Sequence, residues 1–253
     1  MQFKTLKYYQ SDNYGILSLN VPEQMNAMSP QMLGDLYSFF SSKPPKNARF
    51  IIISGNGECF GSGGNLKSMF KMCAKESEKI SKLTHKAFSL IEKYPVPVVA
   101  VVHKYAIGGG FELALACDMI FATSDAQFSL PELKFNMLPG GGGSVRLPLV
   151  IGKREAFWNI LTGNKITAEK AQQMGIVQNI VNNENYIEES VSILEKTILP
   201  IEKEAIKALK EVFSSITMET KDAFGKEAEG FSYLLETYAK QKIKDFIKKN
   251  KDE

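Results

Sequence analysis

Twice in this chain a short apolar run leads through a glycine-rich turn toward a helical pattern. This repetition limits the fold more than any other feature. The runs are Phe50–Ile51–Ile52–Ile53–Ser54 and Val98–Val99–Ala100–Val101–Val102. Runs that are apolar at every position suit strands covered on both faces, as in parallel sheets. The first continues into Ser54–Gly55–Asn56–Gly57–Glu58–Cys59–Phe60–Gly61–Ser62–Gly63–Gly64–Asn65, with a helix expected over residues 76–93. Pro95–Val96–Pro97 ends that helix ahead of the second run. There Ile107 leads into Gly108–Gly109–Gly110, a helix from Phe111 to Cys117, and a third strand, Met119–Ile120–Phe121–Ala122. Strands alternating with helices define an α/β fold.

Upstream, residues 3–9 and 14–20 read as two strands joined at Asp12–Asn13. Ser29 is placed to cap a helix with Pro30 in its first position, running to Phe40 and ended by Pro44–Pro45. After about residue 185 the strand pattern stops. Residues 187–248 read as consecutive amphipathic helices, broken at Pro200 and near Ser214–Ser215. The expected division is a core over residues 1–186 and a helical region over 187–253. Helices added beyond a complete core often pack against another subunit, so an oligomer is expected.

Composition serves to exclude. The 253 residues are 44% hydrophobic and 23% charged, ordinary for a globular chain, and a net charge of +3 is too mild to argue for nucleic acid. The Lys-rich stretch from Lys240 to Lys251 reads as a solvated helix end. Cys59, Cys73 and Cys117, with only two histidines, have no metal-binding spacing, so no metal is expected and reduced thiols in the cytoplasm fit best. No apolar run approaches a membrane span, and Met1–Lys7 has no continuous apolar core, so no membrane partner is expected.

The glycine turns carry the chemistry. Glycine admits a ligand close to the backbone, and the first turn of a helix leaves N–H groups unpaired where negative charge is favoured. Two such turns side by side would aim two N–H groups at one oxygen. Nucleotide loops fail: Phe60 stands where a dinucleotide fingerprint needs its third glycine, and no phosphate-binding G-x-x-x-x-G-K-[ST] occurs. Neither Ser62 nor Ser144 sits in a nucleophile elbow, so Ser62 is expected to offer its backbone N–H and not its hydroxyl.

Two carboxylates accompany the turns. Glu112 lies two residues past Gly110 in an otherwise apolar helix start, where burial raises a carboxyl pKa toward acid–base use. Read alone, it is also a favourable charge at a helix N-terminus. Glu132 follows Ser129–Leu130–Pro131, a spacing that also fits a capping box with Ser129 as cap. Together the two form a pair able to take acid and base roles. Gly140–Gly141–Gly142–Gly143 precedes a helix to Val150 and requires close approach by a ligand or a neighbouring backbone. His85 and His103 read as structural or surface residues. Trp158 and Phe60, Phe70, Phe88 and Phe111 read as core or pocket wall.

With these residues in view, the chain resembles the crotonase (enoyl-CoA hydratase/isomerase) superfamily from about Gly15 to Val181. The resemblance rests on Asn26–Ala27–Met28, Phe60 to Leu66, Ala106 to Asp118, Phe128 to Glu132 and Leu138 to Gly143, five motifs in the family's order. It implies a crotonase-like spiral of β-β-α units with a C-terminal helical region that makes homotrimers or homohexamers. It implies an acyl-CoA thioester as substrate, with no further cofactor. It implies an oxyanion hole from the N–H groups of Ser62 and Gly109, with Ser62, Gly63, Gly64, Asn65, Leu66 and Gly109 binding substrate. Such a hole is worth about 3–4 kcal/mol per donor. Glu112 and Glu132 match the two glutamates of true hydratases: Glu112 for the water, Glu132 for the proton at Cα. Asn65 departs from the Asp of many hydratases. The alternatives are isomerase, decarboxylase or thioester hydrolase, or a CoA-binding protein without turnover.

Overall fold

A computed structural model describes residues 3–216 and 221–249. Its frame is a six-stranded sheet. In spatial order the strands are β1 (Leu6–Gln10), β2 (Tyr14–Leu19), β3 (Phe50–Gly55), β4 (Val98–Val102), β6 (Met119–Thr123) and β9 (Asn179–Val181). β1 and β2 form the antiparallel hairpin, and every other neighbour pairs in parallel. β1 starts at Leu6, later than expected, while Phe3 packs against the core.

The two apolar runs are continuous because each serves two cores. Ile51, Ile53, Val98 and Ala100 face the main core, which α1 (Pro30–Phe40) and α3 (Ala74–Glu92) cover. Phe50, Ile52, Val99 and Val101 face a second core closed by Leu194 and Ile198 of α8 (Tyr186–Ile198). Each buried Ile, Val, Leu or Phe among them contributes about 1.5–3 kcal/mol by leaving water.

A second sheet of three short strands, β5 (Tyr105–Ile107), β7 (Gln127–Ser129) and β8 (Ile166–Thr167), lies alongside. The expected spiral is visible in the order of elements. β3 is followed by a bridge from Gly61 to Ala106 of the small sheet, then α2 (Leu66–Lys71) and α3. β4 is followed by β5 and α4 (Gly109–Leu115). β6 is followed by β7, a 3-10 turn at Glu132–Phe135, α5 (Gly143–Ile151) and α6 (Lys153–Thr162). Each unit spends one strand in the large sheet, a strand or bridge in the small one, then a helix. The Gly61–Ala106 bridge sets the two glycine turns side by side.

The helical region continues with α9 (Lys203–Ile216), α10 (Lys221–Leu234), a π-helical turn (Leu235–Ala239) and α11 (Lys240–Lys249). α9 runs on past the break expected near Ser214–Ser215, and residues 217–220 lie outside the described residues. α10 packs on α3 and α5, and α11 on α2. On α11, Lys242, Lys244, Lys248 and Lys249 are exposed, as a solvated face requires; Asn250 and Lys251 lie outside the described residues. Trp158 corrects the core-or-wall expectation. It is 59% exposed on α6, beside exposed Phe157 and Leu161.

Candidate active site

The eight expected site residues come together. Ser62, Gly63, Gly64, Asn65, Leu66, Gly109, Glu112 and Glu132 all line one cleft of about 150 Å³. Its far wall includes Met69 of α2 and Phe231 of α10.

Accounting for the amides corrects the expected donor in the first turn. The Ser62 N–H donates to the Met25 carbonyl at 3.0 Å, and its hydroxyl reaches the Gln24 carbonyl at 3.5 Å. That amide is therefore already engaged. One residue on, the Gly63 carbonyl accepts from Met28 N–H at 2.7 Å. In a trans peptide the following N–H points the opposite way. That N–H belongs to Gly64 and makes no hydrogen bond among the described residues. The Gly109 N–H opens α4 and is likewise unpaired among them. The Gly63–Gly64 peptide lies against Gly109, its carbonyl carbon 3.7 Å from where a Gly109 Cβ would stand. The cleft thus has Gly64 and Gly109 as adjacent free amides, with Ser62 as wall.

Glu112 sits in the first turn of α4, only 4% exposed. Its Oε1 accepts from Gly141 N–H at 2.7 Å and Gly143 N–H at 2.8 Å. Burial raises its pKa, and the two amides and the Arg146 guanidinium oppose that rise. Cβ atoms on Gly141 or Gly143 would stand 2.8 and 3.1 Å from this carboxylate. The close approach that the glycine run requires is therefore made by a side chain, neither a ligand nor a backbone.

Glu132 begins the 3-10 turn, and the capping-box reading does not hold. Pro131 occupies the cap position with no side-chain bond, and the Ser129 hydroxyl donates to the Gly163 carbonyl at 3.1 Å. Released from capping, the carboxyl enters the cleft with Oε2 buried and unpartnered among the described residues. Its pKa is raised well above the ordinary carboxyl range, first by burial, then by the charges of Glu112 and Glu227. Gly108, at φ +51°, gives it room: a Cβ there would stand 2.8 Å from Glu132 Oε1.

The sequence reading missed Glu227 and underrated His85. Glu227, on α10, is 3% exposed and holds the amides of Gly142 and Ser144. His85 is buried, with Nε2 3.3 Å from Ser81 Oγ and 3.6 Å from Glu227 Oε1. Burial, then Arg146, pushes its pKa down to about 4, so it is neutral at pH 7. Arg146 pairs with Glu92 at 2.8 Å and donates to the Gly141 carbonyl at 2.9 Å. Cys59 is buried behind the first turn, and burial followed by the Glu58 charge raises its thiol pKa, which makes it inert. Among the described residues no cluster of His, Cys, Asp or Glu suits a metal ion, and no helix is long and apolar enough to cross a membrane.

Comparisons with known proteins place the chain in a family. The family model for enoyl-CoA hydratase/isomerase matches residues 11–253. A probable mitochondrial enoyl-CoA hydratase from Dictyostelium discoideum is 34% identical over 196 residues, 77% of this chain and 70% of that one. An enoyl-CoA hydratase structure from Bacillus anthracis matches with a TM-score of 0.80 at 30% identity, covering 91% of this chain and 90% of that one. An enoyl-CoA hydratase from Bacillus halodurans shares the fold at a TM-score of 0.88 and 24% identity, covering 96% of this chain and 100% of that one.

Proposed function

The chain belongs to the enoyl-CoA hydratase/isomerase family, and on that footing we propose that it adds water across the double bond of a 2-enoyl-CoA thioester. The observation that carries the reading is a pair of enclosed carboxyl groups with opposite surroundings, beside two unpaired loop amides. Glu112 has two N–H donors, which favour its charged form. Glu132 has none on Oε2 and lies near other carboxylates, which favours its protonated form.

The chemistry follows from that split. The thioester oxygen accepts from the N–H groups of Gly64 and Gly109. Glu112 takes a proton from water as the water oxygen bonds to Cβ. The π electrons move toward the thioester, giving an enolate whose oxygen the two amides stabilise. Glu132 then delivers its proton to Cα. Water has been added, Glu112 holds a proton and Glu132 has lost one; proton exchange between the coupled carboxyls and solvent restores the start. Ser62, Gly63, Asn65 and Leu66 line the approach of the CoA portion. The helical region over 187–253 is proposed to assemble trimers or hexamers, supported by exposed Leu209, Val212 and Phe213 on α9.

Crotonyl-CoA hydration, followed as loss of enoyl absorbance, tests the reading. Turnover with formation of the 3-hydroxyacyl thioester is expected. No hydration of any short- or medium-chain 2-enoyl-CoA by folded protein overturns it, and migration of the double bond in a 3-enoyl-CoA instead assigns the site to isomerisation.

A further inference from the structure

The hydration scheme uses Glu112 and Glu132 and leaves a third enclosed carboxylate without a role. Glu227 reaches the loop after Gly140 from α10. Its Oε1 accepts from Gly142 N–H at 2.6 Å and its Oε2 from Ser144 N–H at 3.0 Å, with the Ser144 hydroxyl donating to Oε2 as well. Glu112 holds the intervening amides of Gly141 and Gly143. Four consecutive amides are thus divided alternately between a carboxylate of the core and one of the C-terminal helical region.

We propose that Glu227 is a positioning residue for Glu112: it clamps Gly142 and Ser144 from behind, so that the amides of Gly141 and Gly143 stay aimed at the Glu112 carboxylate. The inference rests on the hydratase reading for its effect on rate, and on geometry alone for its effect on the loop. A plain anchor would not need a carboxylate here, because enclosing a charge is costly unless it is paired. The groups facing Glu227 do not supply a dedicated partner. His85 of α3 is neutral, Arg146 of α5 is engaged by Glu92 of α3 and stacks over Phe224 at 4.9 Å, the Glu112 charge repels it, and Glu132, held protonated, offers it no cation. Burial and the Glu112 charge push the Glu227 pKa up to about 8. Above that pH its charge adds to those that keep Glu132 protonated.

Above about pH 8, where Glu227 is charged, Glu227→Gln keeps the shape but leaves only one oxygen for two amides. With crotonyl-CoA in that range, kcat is expected to fall roughly 10- to 100-fold with KM little changed, as for a misplaced catalytic group. The alkaline limb of the kcat/KM profile is expected to move to lower pH, because Glu132 loses a neighbouring charge that holds its proton. Hydrogen exchange at Gly141 and Gly143 is expected to quicken, a readout that needs no turnover. Wild-type rate, pH limb and exchange in a folded Glu227→Gln protein overturn the proposal. If wild type hydrates nothing yet the variant's exchange quickens, the clamp stands and the hydratase reading falls. If the variant does not fold, Ser144→Ala removes one clamp contact and must move rate and exchange in the same directions; no change in either overturns the clamp.

Discussion

The two regions that deliver the carboxyl groups treat the same residue type in opposite ways. Around Glu112, the start of α4 meets the glycine loop over Gly140–Gly143, and two backbone N–H groups converge on one oxygen. Around Glu132, the 3-10 turn presents a carboxyl whose Oε2 is buried without a donor among the described residues. Burial raises both pKa values, but Glu112 has two amides of the facing glycine loop and Arg146 opposing the rise, whereas Glu132 has only its own backbone N–H and also feels the Glu112 charge. Acid and base are thus separated by where backbone amides point, not by side-chain chemistry. Glycine permits this, since any side chain at Gly141 or Gly143 would occupy the space the Glu112 carboxylate fills.

The largest effect should come from removing the proton that this asymmetry reserves. Glu132→Gln is expected to lower kcat by about 10²- to 10⁴-fold, the range for a lost general acid, with KM nearly unchanged. Steady-state hydration of crotonyl-CoA measures it, and turnover within threefold of wild type would remove Glu132 from the mechanism. Stability should respond in the opposite sense. A carboxyl with a raised folded-state pKa costs no stability below its unfolded value near 4.5 and progressively more as pH climbs toward the folded value. Glu132→Gln should therefore gain Tm relative to wild type as pH rises from 5 to 8. A Tm difference independent of pH would show that Glu132 is not held protonated.

Truncating each carboxylate to alanine separates the regions by stability. Glu112→Ala leaves the amides of Gly141 and Gly143 without their acceptor, at about 1–3 kcal/mol for each buried donor. Glu132→Ala strands only its own backbone N–H, at the start of the 3-10 turn, and is expected to cost less than about 1 kcal/mol, since it also removes a poorly solvated group. Urea unfolding compares the two variants. Equal losses would mean that the amide bonds to Glu112 contribute nothing to the difference.

The pH profile of wild type sharpens the same contrast. The reaction needs Glu132 protonated and Glu112 charged. kcat/KM is expected to fall about tenfold per pH unit once pH passes the raised pKa of Glu132, with the acidic limb set by Glu112. The limbs belong to the coupled pair, so replacing either carboxyl should displace the limb of the other. A flat profile in the folded range would break the assignment.

What was legible in the sequence was whatever is written locally. β3 and β4 announced themselves because both faces of each strand are buried, so every position is apolar. Glu112 was legible because its turn, its helix and its apolar neighbours are contiguous. The choice between Ser62 and Gly64 was not, because it depends on which amide a carbonyl of the distant turn takes. Met25, at φ +48°, brings its carbonyl to Ser62. Glu132 resembled a cap because Ser129 has cap spacing, and only the fold shows the hydroxyl turned to Gly163. Glu227 lay hidden in an amphipathic helix, 85 residues from the amide of Gly142. Trp158 was misplaced because an aromatic residue in a helix looks the same whether it faces inward or outward.

The smallest effect concerns the residue where this chain departs from many hydratases, and it tests whether the first loop takes as direct a part in the chemistry as the glycine loop over Gly140–Gly143. Asn65 is the N-cap of α2: its Oδ1 accepts from Ser68 N–H at 3.0 Å, while its Nδ2 donates to Gln24 Oε1 at 3.1 Å. Asp makes the same cap, since Asn and Asp are near-equivalent acceptors at this position. It lacks the donor to Gln24, but that contact is exposed and adds little. Asn65→Asp should therefore change stability by no more than about 0.5 kcal/mol, and Asn65→Ala should cost about 1 kcal/mol through the lost cap. In the hydration assay both should act on KM before kcat, because Asn65 lines the cleft without joining the proton transfers. A kcat loss in Asn65→Asp comparable to that of Glu132→Gln would mean that the charge of this loop enters the chemistry, and that the division of labour between Glu112 and Glu132 is incomplete.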